Sequence, residues 1–280
     1  MSESRAFVGL VKRELIRWTR SPIGIFSGLI QPILYLALFG QALNLGKLIE
    51  IPGVPALAIQ KAFSGAPTYF SYFSVGMVGF ITVFSTLFIG ANVIFDKRLG
   101  LIKKALSSPV NRTTIFAARL VGGAIQPAIL SGVVFAVALL FAHVSGLSGL
   151  VVTATVTPVG VLEIVLAVVC LAIVFASVFL AIGFLMDQPQ SYFGIINLLN
   201  LPILFTSNAL FPVSIMPPWL QTATAYNPVS IGINVMRENL FPWQGYYPYP
   251  PEVYLAALVI FTIVVFFLAF LLARRGLSAR

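Results

Sequence analysis

The sequence predicts an all-α integral membrane protein with six transmembrane helices, and three observations predict it. Of its 280 residues 59% are hydrophobic and 9% are charged, whereas soluble domains carry about 25% charged residues. The apolar residues gather into runs long enough to cross a bilayer, which lifts the mean hydropathy to +1.00. The cations gather between and beside those runs. Arg5, Lys12, Arg13, Arg17 and Arg20 precede the first run; Lys97, Arg98, Lys103, Lys104, Arg112 and Arg119 lie close together; Arg274, Arg275 and Arg280 follow the last. Short segments rich in Lys and Arg stay cytoplasmic, and six spans with both termini cytoplasmic put every cluster on that side. The net charge of +9 therefore reports topology and needs no nucleic acid to explain it.

The whole chain, 1–280, reads as one transmembrane domain. Residues 1–21 form an amphipathic interfacial helix: Phe7, Val8, Val11, Leu15 and Trp18 share a third of the helical wheel, with the cations opposite. Glu14 falls on the apolar arc, where it either snorkels or seeks a cation, which the basic segment 96–112 could supply. The first span, 22–45, carries no charge and reaches about 36 Å as a helix. It is too long for the apolar core of a signal peptide. Gly24 and Gly28 within it form G-x-x-x-G, a pattern that permits close helix approach.

Residues 47–67 form an outer loop, and 69–95 the second span, opening on an aromatic belt of Tyr69, Phe70, Tyr72 and Phe73. The third span, 115–144, is kinked at Gln126-Pro127. The fourth, 159–186, carries Glu163 about one turn inside its outer end. An acid at that depth is a functional candidate, although it also suits the helix dipole and reaches the headgroups. Residues 187–190 make a tight turn into the fifth span, 191–210. Its Asn197, Asn200, Thr206, Ser207 and Asn208 serve either as packing glue or as the wall of a transport path. Four prolines in 211–237 forbid one continuous helix. Two short helices meeting near Asn227-Pro228 would form a re-entrant hairpin between spans five and six. The sixth span is 253–273, fixed by Arg274 and Arg275.

The segment 96–112, D-K-R-L-G-L-I-K-K-A-L-S-S-P-V-N-R, is the one sizeable polar island between apolar runs. Leu99, Ile102 and Leu106 recur at helical spacing, which predicts a short amphipathic helix with one apolar face; Pro109 ends it. Such a loop either docks against something or is a solvated anchor at the lipid surface. Asn111-Arg112-Thr113 matches a glycosylation sequon by chance, because it lies on the cytoplasmic side. Cys170 and His143 are the single cysteine and the single histidine, in separate runs, so neither a disulfide nor a transition-metal site is expected. No Walker A motif occurs, so this chain carries no ATP-binding loop of its own and no cofactor is expected on it.

These residues resemble the type-2 ATP-binding-cassette (ABC-2) export permeases, and among them the daunorubicin-resistance-like drug and lipid exporters. Arg13-Glu14, Arg20, Pro22, Gln31-Pro32 and Phe39-Gly40 are similar to the family's interfacial helix and first span. Asp96, Gly100, Leu106, Pro109-Val110 and Arg112 are similar to its first cytoplasmic loop. Phe211-Pro212, Met216-Pro217, Trp219-Leu220, Asn227-Pro228 and Arg237 are similar to its outer hairpin, the most specific of the three. Arg98 and Lys103 stand where many relatives carry acids, and Asn208 where the family has glycine.

The resemblance implies a permease subunit without its own catalytic site, exporting an amphipathic drug, lipid or glycolipid. Two copies, or this chain and a paralogue, would form the path, powered by two copies of a separate ATPase. Coupling to that ATPase is implied for Glu14, Arg17, Asp96, Arg98, Gly100, Ile102, Lys103, Leu106, Pro109 and Arg112. The path would be lined by Asn197, Asn200, Thr206, Ser207 and Asn208. The outer gate would comprise Phe211, Pro212, Pro217, Trp219, Asn227, Pro228 and Arg237. A compact permease of this kind points by analogy to a prokaryotic plasma membrane. The competing class, an ion-coupled secondary transporter or channel, expects paired broken helices and midplane charges; one broken region and one acid near an interface fit it poorly. An intramembrane enzyme would need a nucleophile with a base or a metal cluster, which His143, Cys170 and Glu163 do not make.

Overall fold

The computed structural model describes residues 3–42, 63–107, 110–153, 156–241 and 248–278. In chain order the helices are α1 (Glu3–Thr19), α2 (Pro22–Ala42), α3 (Tyr69–Arg98), α4 (Leu101–Leu106), α5 (Arg112–Phe141), α6 (Pro158–Leu185), α7 (Pro189–Phe205), α8 (Pro218–Tyr226), α9 (Pro228–Leu240) and α10 (Pro251–Ser278), with a single 3-10 turn at Val213–Ile215. The all-α class holds: every described element is helical. Among the described residues five helices, α2, α3, α5, α6 and α10, are long and apolar enough to cross a membrane. The segment expected as a fifth span, 191–210, differs. Its helix α7 has 17 residues, about 25 Å long and at the lower limit for a crossing. Residues 206–211 leave the helix as a turn, where the Ser207 hydroxyl donates to the Leu204 carbonyl and the Asn208 N–H and side-chain amide donate to Ser230 and Asn234 of the following segment.

α3 is the axis of the bundle. It packs on α2, α5, α6, α7 and α9, and nearly every residue from Tyr69 to Val83 is buried. Such close packing needs small residues at the crossings. A Cβ on Gly90 would lie 2.2 Å from the Phe179 carbonyl oxygen, and one on Gly183 2.5 Å from that of Gly90, so the α3–α6 crossing is built on this glycine pair. Tyr192 of α7 closes the same crossing by donating its hydroxyl to the Leu87 carbonyl at 2.7 Å. The G-x-x-x-G of α2 has another fate. Cβ atoms at Gly24 and Gly28 would meet only Ser21 and, at 3.7 Å, Leu130, so this motif mediates no tight helix contact within the chain.

The aromatic belt expected at the start of α3 is buried, stacked on itself and on Phe63. The outer loop 47–67 lies largely outside the described residues. α8 and α9 join at Asn227, whose side chain accepts from the Val229 N–H at 2.9 Å and caps α9; Pro228 supplies the first helical residue. The break foreseen at Asn227-Pro228 is therefore present.

Candidate functional site

Two polar centres occupy opposite ends of α3. At its C-terminal, basic end, Asp96 is 1% exposed and receives three arginines from two other helices. Arg119 of α5 donates Nη2 to Oδ2 at 2.5 Å, Arg17 of α1 donates Nη1 to Oδ1 at 3.0 Å, and Arg13 of α1 stands 3.7 Å away. Glu14 of α1 lies 3.8 Å from the other Nη of Arg119, and Asn92 accepts from Arg17 at 3.4 Å. A buried carboxylate is tolerated only when paired and hydrogen-bonded, and here the pairing fastens α1, α3 and α5 together.

The position of α1 explains Glu14. The helix lies along α5, where a Cβ on Gly122 would come 2.9 Å from that of Glu14. Glu14 thus faces protein, and its cation is Arg119 of the third apolar run, not one from 96–112. The sequence reading missed Arg119, Arg13 and Asn92 as members of this centre. The available signal was a charge, Arg119, two turns inside an otherwise apolar run.

Beyond Asp96 the chain turns at Gly100, which has φ +70°, a conformation that costs glycine little. The turn resets the helical phase. Leu99 is 72% exposed, whereas Ile102 and Leu106 of α4 pack against Phe116, Phe184 and their neighbours, so Leu99 is not on the apolar face expected for it. Lys103 and Lys104 stay exposed, as do Arg98 and Arg112; Pro109 lies outside the described residues. Lys97, also missed from sequence, is a strut: its ammonium donates to the carbonyls of Phe184 at 2.6 Å and Met186 at 2.8 Å and meets Asp187 at 3.3 Å. Arg98 adds a bond to the Asp187 carbonyl at 3.3 Å. These bonds tie the end of α3 to the α6–α7 turn.

At the far end, Arg237 of α9 is 0% exposed. Its guanidinium stacks 3.4 Å from the centre of the Tyr72 ring and donates to the carbonyls of Asn208 at 3.0 Å and Tyr72 at 2.9 Å. Among the described residues no carboxylate pairs with it. The Tyr72 hydroxyl donates to the carbonyls of Asn208 and Phe211 at 2.7 and 2.9 Å. Asn208 also donates its side-chain amide to Asn234 at 2.7 Å. Asn227 donates to the Ile203 carbonyl and the Thr206 hydroxyl at 2.8 and 2.9 Å, and Thr224 to the Thr206 carbonyl at 2.8 Å.

The expected lining residues therefore divide. Thr206, Ser207 and Asn208 are gathered against the α8–α9 hairpin, whereas Asn197 is exposed and Asn200 half-buried on α7. The expected gate residues divide too. Pro212, Asn227 and Arg237 are buried; Phe211, Pro217 and Trp219 are exposed, and Pro228 is partly covered.

Glu163 of α6 is 7% exposed and accepts from Asn239 of α9 at 2.9 Å, so it has a structural partner. Beside it, burial pushes the Glu238 carboxyl up to about 7, helped by the charges of Glu252 and Glu163.

The sequence profile of the ABC-2 type transporter family matches residues 5–241. Similar relatives are three proteins described as "Putative transport permease ycf38". Those of Porphyra purpurea and Cyanophora paradoxa are each 28% identical over 230 residues, and that of Pyropia yezoensis is 31% identical over 238 residues. Each alignment covers 81% of this chain and 71% of the relative. These sources are algal and do not match the prokaryotic plasma membrane expected by analogy; the helices and the family carry a membrane protein.

Proposed function

Since the chain belongs to the ABC-2 type transporter family, we propose that it is the transmembrane permease subunit of an ATP-binding-cassette exporter, driven by a separate ATPase in two copies. The supporting observation is the junction at the basic end. Asp96 fastens α1, α3 and α5, Lys97 fastens α3 to the α6–α7 turn, and the exposed Lys103 and Lys104 of α4 stand on that junction. An acidic groove on the ATPase would meet this cationic face. α4 is anchored through Ile102 and Leu106, so a push on it is passed to the whole junction instead of being lost in a loose loop. ATP and Mg supply the closing force when bound to the partner.

In this reading the basic end is cytoplasmic, α7 completes six crossings, and the α8–α9 hairpin lies at the outer side. α2 and α7 both pack on α3 but make little contact with each other. Phe88, exposed between them, and Asn197 on α7 would face a second permease copy or paralogue across a shared path. Apolar walls with few amides suit an amphipathic drug, lipid or glycolipid.

The test is a mild-detergent pull-down of the tagged chain from its own membrane, followed by ATPase and transport assays. Recovery of a stoichiometric Walker A ATPase is the expected result. Gly100→Pro should then leave hydrolysis intact while abolishing export. A chain recovered alone under conditions that preserve another ABC complex sinks the proposal.

A further inference from the structure

A cavity of about 300 Å³ opens between α1, α2, α3 and α5, directly beside the Asp96 centre. Its two ends differ in chemistry. Glu14 and Arg17 of α1 and Asn92 of α3 line one end; Gly28, Phe88 and Leu130 line the other. It exists because α2 has glycine where side chains would otherwise project: a Cβ at Gly28 would meet a single atom, of Leu130, at 3.7 Å, and one at Gly24 only the helix's own Ser21. On its outer side α2 presents Ile23, Phe26 and Ile30, between 57% and 82% exposed. Inside the cavity the amide of Gln126 lines the wall, with no hydrogen bond to any described residue.

The charged end carries an excess of positive charge. Arg13, Arg17 and Arg119 face Asp96 and Glu14, three cations against two anions. Glu14 is engaged by Arg119, while the Arg17 side chain remains 38% exposed; its Nη1 and Nη2 each give one bond, to Asp96 and Asn92, and a guanidinium has further N–H groups to offer an anionic acceptor. Water suits the charged end of such a cavity but not the apolar end, and a hydrocarbon alone suits only the other. A phosphate-bearing amphiphile matches both.

We propose that this cleft is a phospholipid site, distinct from any transport path. The phosphate sits on Arg17 near the surface of the bilayer, and the first part of one acyl chain lies along Gly24 and Gly28, continuing over the exposed face of α2. Gln126 offers its amide to the ester region. The site rests on the membrane reading of the chain and not on ATP coupling. By wedging between α1 and α2, a bound lipid fixes the angle of the interfacial helix against the bundle.

The test uses full-length protein in detergent with Trp219→Phe and the third tryptophan also replaced by Phe, leaving Trp18 at the mouth of the cleft. Quenching of Trp18 by a short-chain phosphatidylglycerol brominated near the headgroup reports binding. The expected result is saturable quenching that is weakened about tenfold by Arg17→Gln, through loss of the guanidinium's contact with the phosphate, and about as much by Gly28→Leu, which fills the apolar end. A Cβ at Gly28 would make only an ordinary 3.7 Å contact, with Leu130, so Gly28→Leu keeps the test decisive if Arg17→Gln disturbs the Asp96 centre. Equal quenching by the brominated diacylglycerol without phosphate overturns the proposal, as does quenching unaffected by Gly28→Leu. Full competition by inorganic phosphate at the lipid's own concentration would make the site one for free phosphate and also overturn it.

Discussion

Arg119 and Arg237 are both buried guanidinium groups held at α3, one at its last turn and one at its first, and they are neutralised in different ways. Arg119 is met by two carboxylates, Asp96 and Glu14, contributed by α3 and α1. Arg237 is met by two backbone carbonyls and the face of Tyr72. The first arrangement is an ion-paired junction of three helices with its outer members, Arg13 and Arg17, still touching solvent. The second is a lock made from dipoles and a ring quadrupole, sealed inside one end of the bundle. For the proposed coupling role, a junction with solvent-touching arginines would let the basic end shift, and a fully buried lock would hold the hairpin in one position.

The largest effect should come from breaking the balance at the basic end. Asp96→Ala leaves the buried Arg119 with Glu14 alone, 3.8 Å away, and removes the anion shared by Arg13 and Arg17. The expected cost is about 3–5 kcal/mol, read as loss of thermal stability in detergent. Asp96→Ala with Arg119→Met should recover part of it, since the poorly paired charge is then gone. A double variant no more stable than the single one would mean that the three-helix junction depends on the shape of the site and not on its charge balance.

The far end should respond differently. Arg237→Met keeps most of the buried volume and creates no stranded charge, so the lost ring contact and two charge-assisted bonds are offset in part by no longer burying a guanidinium, leaving a cost of about 2–3 kcal/mol. No acidic residue should couple to Arg237 in a double-mutant cycle, whereas Asp96 and Arg119 should couple strongly. Asn208→Gly sharpens this further. The contact with Arg237 is made by the Asn208 backbone carbonyl, which glycine retains, so only the bond to Asn234 is lost, about 1 kcal/mol. A cost near that of Arg237→Met would show that the Asn208 side chain, not its carbonyl, sustains the lock.

The two ends were unequally legible in the sequence. Hydropathy placed the five long helices, and Asn227-Pro228 announced the break in the hairpin, because proline and an N-capping residue act locally. The helical spacing read across Gly100 did not hold, because its left-handed turn shifts the helical phase and separates Leu99 from Ile102 and Leu106. Partners distant in sequence were hidden. Arg119 meets Glu14 across more than a hundred residues, and its place inside an apolar run marks it as unusual without naming its partner. Glycines tell the same story: Gly24 and Gly28 match a packing motif yet open a cavity, while Gly90 and Gly183 match no motif and make the tightest crossing. In both cases the deciding factor is which helix arrives opposite, and that is a property of the assembled bundle.

The smallest effect is a pH dependence confined to the far end. Glu238 faces Glu163 of α6, Glu252 and Tyr254 of α10, and no cation among the described residues, and its carboxyl is raised from an ordinary 4.5 to about 7. Below pH 4.5 the group is neutral in both folded and unfolded chains and carries no penalty. Between 4.5 and 7 the unfolded chain releases the proton that the folded one retains, so stability falls as pH rises through this window and then levels off. The midpoint of thermal unfolding should therefore drop from pH 5 to pH 8 more in the native sequence than in Glu238→Gln, by a few degrees at most because the side chain is partly solvated. Parallel curves for the native chain and Glu238→Gln would remove the far-end carboxylates as the source of any pH response.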